Sequence, residues 1–202
     1  MNFLAHLYLS GDVVEIRLGN FIGDYVKGMN LKHYPLKIQT GIMLHRAIDS
    51  FTDSHPSTRI CTKLLQPGYG KYAGVVNDIF YDHFLAKDWK TYSRSDLKSF
   101  TKLFYHQMLL RFNYLPATVR RFLPFMIHSD RLFRYRTVDG IKQAIEIMSS
   151  VSSLPSNSEY AIEVLKDNYS VFNEQFHIFF PEIIEYVSSE YGIVIPETSS
   201  RI

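Results

Sequence analysis

Apolar residues recur along most of the chain at intervals of three and four. Leu97, Phe100, Leu103, Phe104, Met108 and Leu109 mark one helix face, and Ile162, Leu165, Tyr169, Phe172, Phe176 and Phe179 mark another. The period-two alternation of a half-buried strand is scarce, so the expected fold class is all-α, a single-domain helical bundle. Glycines, prolines and capping residues divide the pattern. Helices are expected over 2–9, over 13–27 with Gly28 as stop, and from the turn at Pro35 to Pro56. Others are expected over 57–65, closed by Pro67-Gly68-Tyr69-Gly70, over 72–87, and over 96–112 with Ser95 as cap. Further on, 116–127 is disturbed at Pro124, 131–136 is a short helix or turn, and 138–151 is helical. After a serine-rich loop, 158–180 is one long helix that Pro181 kinks or restarts, with 182–191 continuing. Residues 1–191 thus read as one helical domain and 192–202 as a C-terminal tail, frayed from Pro196 onward.

Two of these helices carry polar residues where an apolar face should be continuous. His45, Asp49 and Asp53 fall at i, i+4 and i+8 among Ile42, Leu44, Ile48 and Phe51. Steps of four keep them on one slowly drifting stripe. Asp78 and Asp82 repeat the i, i+4 spacing, with His83 beside Asp82. Burying carboxylates and imidazoles costs free energy unless something pairs with them. Facing each other, the two helices would offer the mixed O and N ligands that suit manganese, iron or zinc. The alternative is a set of ordinary helix-surface salt bridges, against which stands the small number of nearby cations, Arg46 and Lys87.

Other polar positions are weaker signals. His6 lies in an apolar surround, where a hydrogen-bonded core histidine is commoner than a ligand. Asp24, near the expected end of its helix, faces the unfavourable end of the dipole, a conflict that favours a functional carboxylate. His55 reads as a structural residue of the turn before Pro56. Arg134-Tyr135-Arg136 has the donor forks that grip phosphate, or is a pair of solvent-facing arginines.

Composition narrows the classes. With 46% hydrophobic and 15% aromatic residues the 202-residue chain can bury a large core, and its net charge of +2 does not by itself imply a nucleic-acid partner. Residues 111–142 are nonetheless basic and 143–190 acidic, so an anionic partner could be received at the former. Cys61 is the only cysteine, which fits a reducing compartment. No apolar run is long enough to cross a membrane, and the apolar start lacks the basic region of a signal peptide. A cytoplasmic protein with no membrane partner is expected.

Six ordered blocks resemble one family. They are Met1-Asn2-Phe3-Leu4-Ala5-His6, Leu18-Gly19-Asn20-Phe21-Ile22-Gly23-Asp24, His45-Arg46-Ala47-Ile48-Asp49-Ser50-Phe51-Thr52-Asp53, Asp78-Ile79-Phe80-Tyr81-Asp82-His83-Phe84-Leu85, Arg134-Tyr135-Arg136 and Phe176-His177-Ile178-Phe179-Phe180-Pro181. This order is similar to that of the acyl carrier protein phosphodiesterases, described as helical, divergent, HD-domain-like metal phosphohydrolases. The resemblance implies manganese-dependent removal of 4'-phosphopantetheine from holo-acyl carrier protein. It implies a polar site of His6, Asp24, His45, Asp49, Asp78, Asp82 and His83 as metal ligands, with Asp24, His45, Asp49 and Asp82 catalytic. Arg134 and Arg136 would hold the substrate phosphate. The chain has no adjacent His-Asp pair; its pair is reversed, Asp82-His83. Two other functions fit the residues: the same chemistry on another phosphoester such as a nucleotide, and a non-catalytic helical binding module whose polar stripes are ion pairs.

Overall fold

The computed structural model describes residues 1–28 and 31–195, and contains helices and no strand among them. The helices are α1 (Phe3–Tyr8), α2 (Val14–Ile22), α3 (Leu36–Ser54), α4 (Pro56–Tyr69), α5 (Ala73–Lys87) and α6 (Trp89–Tyr92). They continue as α7 (Leu97–Leu110), α8 (Ala117–His128), α9 (Arg131–Arg134), α10 (Val138–Val151), α11 (Ser158–Asp167) and α12 (Tyr169–Tyr191). All of them feed buried apolar side chains into a single cluster. The expected fraying of 196–202 lies outside the described residues, but Ile193 and Ile195, placed in the tail from sequence, are buried.

The departures from the sequence pattern have local causes. α2 stops at Ile22 and passes into a short 3-10 turn, Gly23–Tyr25, instead of continuing to residue 27. α7 is capped by Asp96, whose carboxylate accepts the Ser99 amide at 2.9 Å, and not by Ser95. Leu103 and Leu109, expected on its inner face, are about half exposed, at 52% and 51%. Pro67 and Pro181 end neither of their helices. A proline inside a helix loses one hydrogen bond and crowds the preceding turn. In α12 that cost is outweighed by fully buried Phe179, Phe180 and Ile183 on both sides of Pro181. The actual break falls at Asn168, between α11 and α12.

One helix pair sets the position of the polar residues. α2 and α3 cross so closely that a side-chain carbon on Gly19 would lie 2.1 Å from the Ile38 carbonyl oxygen, and one on Gly41 2.1 Å from that of Ile16. Only glycine fits at either place. One turn further along, a side-chain carbon on Gly23 would lie 2.2 Å from the His45 ring. The crossing therefore brings the end of α2 onto the middle of α3, where the stripe begins.

Candidate active site

α1, the end of α2 and α3 converge on four side chains. The His45 ring from α3 stacks on the His6 ring from α1, with centroids 4.2 Å apart. His45 Nε2 is 3.1 Å from Asp24 Oδ1 and 3.1 Å from Asp49 Oδ2, while His6 Nε2 is 3.1 Å from Asp49 Oδ1. Asp49 thus bridges the two imidazoles. The ligand atoms of His6, His45 and Asp49 lie within 4.8 Å of one another, a grouping that can hold a metal ion. His6 and His45 are buried and Asp49 is half-buried, while the Asp24 side chain is 67% exposed, so the cluster opens on the Asp24 side.

The two histidines are shifted in opposite directions. Burial and the neighbouring charge on His45 lower His6 to about 4. Burial also opposes the charge on His45, but hydrogen bonds to Asp24 and Asp49 overcome it and raise His45 to about 9. Asp49 is held far below the usual carboxylate range: burial would raise it, but the His45 and His6 contacts outweigh that. A hydrogen bond from His45 lowers Asp24 as well.

Asn20, on α2, fixes how His6 presents itself. Its amide nitrogen donates to the His6 carbonyl and to Ser10 Oγ, each at 2.9 Å, so its Oδ1 must face His6 Nδ1, at 2.7 Å. Nδ1 therefore carries the hydrogen, and in the neutral ring Nε2 presents a lone pair. Yet Nε2 sits 3.0 Å from the Met1 carbonyl oxygen and 3.1 Å from Asp49 Oδ1, both acceptors. A cation among these atoms removes the conflict. A ligating histidine whose other nitrogen is tied to an oxygen is the usual second layer of a metal site. The donor set, two imidazoles with carboxylates, fits a borderline divalent ion.

α5 behaves differently, although its sequence stripe looks the same. Asp82 is fully buried, and its two oxygens accept the amides of Leu4 at 2.7 Å and Ala5 at 3.0 Å. α1 has no cap from its own Asn2, so Asp82 supplies the acceptor its first turn requires. Burial pushes Asp82 up to about 7, and the two amides pull against that. His83 Nδ1 takes the Tyr135 carbonyl at 2.8 Å and Nε2 meets the Tyr169 hydroxyl at 3.0 Å. Asp78 Oδ1 lies 3.2 Å from the Met1 amine, which is also 3.5 Å from Asp49 Oδ1. Burial raises Asp78 to about 6. Thus the structure joins His6, Asp24, His45 and Asp49, links Asp78 to them through the Met1 amine, and uses Asp82 and His83 to brace neighbouring segments. The facing-helix arrangement expected from spacing is corrected: α1 lies against α5 and takes up its carboxylates.

The basic residues are also redistributed. Arg134 and Arg136 are exposed, and the Arg136 guanidinium lies 4.2 Å over the Phe133 ring. Neither lines the cleft of about 840 Å³ that runs between α8 and α10; Arg121 and Arg131 do. Sequence spacing had no signal for those two. Asn20 lies four positions before Asp24 in the sequence, a spacing that does not name His6, the partner that gives it meaning. His55 caps α4, accepting the Ser57 amide through Nδ1 at 3.1 Å, and reaches Glu182 at 3.1 Å.

The model of the family described as acyl carrier protein phosphodiesterase matches residues 1–183. Among curated proteins, the acyl carrier protein phosphodiesterase of Serratia proteamaculans is 31% identical over 189 residues, covering 92% of this chain and 96% of the relative. The protein of that name from Photorhabdus laumondii is 27% identical over 198 residues, covering 98% and 100%. That from an Enterobacter strain is 29% identical over 188 residues, covering 91% and 96%. No solved structure matches.

Proposed function

The chain belongs to the acyl carrier protein phosphodiesterase family, and from that premise we propose that it hydrolyses the phosphodiester joining 4'-phosphopantetheine to the serine of holo-acyl carrier protein. The products are apo-acyl carrier protein and 4'-phosphopantetheine. The observation that carries a metal-dependent reading is the lone pair of His6 Nε2, held by Asn20 against two oxygen acceptors. His6, His45 and Asp49, with Asp24 at the open edge, would hold a divalent ion, manganese in our reading. When bound, such an ion supplies Lewis acidity toward a phosphoryl oxygen and acidifies water.

The residues do the rest. Asn20 holds His6 in one tautomer. Asp49 fixes both imidazoles and carries negative charge at neutral pH. Asp24, the most exposed of the four, is best placed to pass a proton to or from a substrate oxygen. Asp78 and Asp82 act by holding α1, and therefore His6, in place. Residues 1–191 serve as the catalytic domain, and the reaction belongs to the cytoplasm, in keeping with the single, buried, unpaired cysteine. No described helix is long and apolar enough to cross a membrane.

The test is mass spectrometry of holo-acyl carrier protein incubated with the protein and manganese. The carrier should lose the mass of 4'-phosphopantetheine, and chelator should prevent it. An unchanged carrier under saturating metal refutes the substrate; cleavage indifferent to chelator refutes the metal.

A further inference from the structure

The 840 Å³ cleft is lined at two places by residues next in sequence to those of the cluster. Asn2 and Phe3 line it directly after Met1, whose carbonyl oxygen contacts His6. Tyr25 lines it directly after Asp24. Asp24 and Arg131 both act electrostatically on the Tyr25 hydroxyl, with opposite signs, so the acidic cluster and the basic cleft meet near that residue. Arg131 enters the cleft with its Nε buried and without a hydrogen-bond partner. A buried donor in that state costs free energy until something accepts from it.

The lining is mixed in a way that suits one kind of molecule. It holds Arg121 and Arg131 and no carboxylate, so the preferred charge is negative. The lining also holds Phe122, Ala144, Ile147 and Met148, together with the hydroxyls of Thr118, Ser152 and Ser153 and the amide of Asn2. At the lips, Phe125 and Val151 face solvent at 73% and 80% exposure from opposite walls. Exposed apolar lips over a cavity mark a surface that something covers, and the volume is that of a site for a small ligand.

We propose that this cleft seats the pantetheine arm of the substrate, with the anionic end toward Arg131 and the cluster, and the thiol end between α8 and α10. The inference rests on the reading of the reaction as hydrolysis of a phosphopantetheine diester. The arm has the matching sequence of parts: an anionic end, a branched apolar segment, two amides and a thiol. Arg131 is then a positioning residue, and specificity resides in the arm as well as in the carrier.

Binding of free pantetheine, which has neither phosphate nor carrier, tests this apart from the reaction. By ligand-observed NMR the wild-type protein should bind it, and I147W, which fills the cleft, should weaken binding at least about tenfold. V151W, placed on an exposed lip, is the second variant in case I147W does not fold. Both should raise KM for holo-acyl carrier protein far more than they lower kcat. No binding to the wild type, or equal binding to wild type and a folded variant, overturns the proposal even if the carrier is hydrolysed. Binding lost in the variants while the wild type leaves holo-carrier intact upholds the subsite and overturns the reaction.

Discussion

α3 and α5 carry the same kind of stripe, two polar residues four apart in an apolar helix, and put it to opposite uses. On α3, His45 and Asp49 meet His6 and Asp24 around a shared point that opens to solvent. On α5, Asp82 and its neighbour His83 meet backbone amides, a carbonyl and a phenol in a closed interior, and Asp78, four before Asp82, reaches the cluster only through the Met1 amine. Spacing places side chains on one face of a helix; it does not say what stands opposite. Across α3 stand other ionisable groups, which leave unsatisfied capacity for a cation. Across α5 stands the uncapped start of α1, which saturates Asp82.

The largest effect should break the comparison on the α3 side. His45→Ala or Asp49→Ala should lower activity about 10³-fold, the several kcal/mol that a metal contributes, and abolish stoichiometric manganese binding. Circular dichroism should be unchanged. Full metal stoichiometry in both variants would move the site elsewhere.

On the α5 side the loss should be of folding. Asp82→Ala leaves two buried amide donors without acceptors, at about 1–3 kcal/mol each, so the protein should lose roughly 2–6 kcal/mol of stability by urea titration. Unaltered stability with lost metal binding would make Asp82 a ligand after all and erase the contrast between α3 and α5. Asn20→Ala should fall between the two classes. It touches no substrate, yet it frees His6 to take the wrong tautomer, and losses of this kind cost about 10–100-fold in metal affinity. Titration with manganese measures it, and unchanged affinity would remove Asn20 from the site.

How much of this was legible in the sequence follows from the same contrast. The helices were, because burial of one face imposes a period of about 3.6. His45 and Asp49 were, because they interrupt that period with like-spaced polar groups. The interior prolines misled because their cost is local, whereas the packing that offsets it comes from residues distant in sequence. The setting of Asp82 and His83 was hidden for a related reason. Their partners, Leu4, Ala5, Tyr135 and Tyr169, lie 52 to 86 positions away, and nothing in α5 signals them. Arg121 and Arg131 were legible only as part of the basic segment 111–142, because a cleft is a property of helices, α8 and α10, that sequence spacing cannot bring together.

The smallest effect is expected at the boundary between the two kinds of residue, at Asp24. From sequence it sat in the last turn of a helix reaching residue 27, where its removal should leave stability equal or higher. In the fold it lies beyond α2, in the turn Gly23–Tyr25, and its Oδ1 is 3.1 Å from His45 Nε2. That pair changes the sign. With His45 lowering its pKa, the ionised carboxylate contributes stability that is fully present above about 4, the unfolded value. The contribution is lost as pH falls through the lower folded value. Because the side chain is 67% exposed, solvent screens the pair, and its worth is below about 1 kcal/mol. Asp24→Asn in chelator should therefore melt slightly lower than wild type at pH 7, and the gap should close toward pH 2. Turnover with saturating manganese should fall in the same variant, since the amide cannot carry the charge or the proton. A variant that melts higher than wild type at pH 7 would restore the helix-dipole account of Asp24. One that turns over normally would move it from the α3 cluster to the company of Asp82.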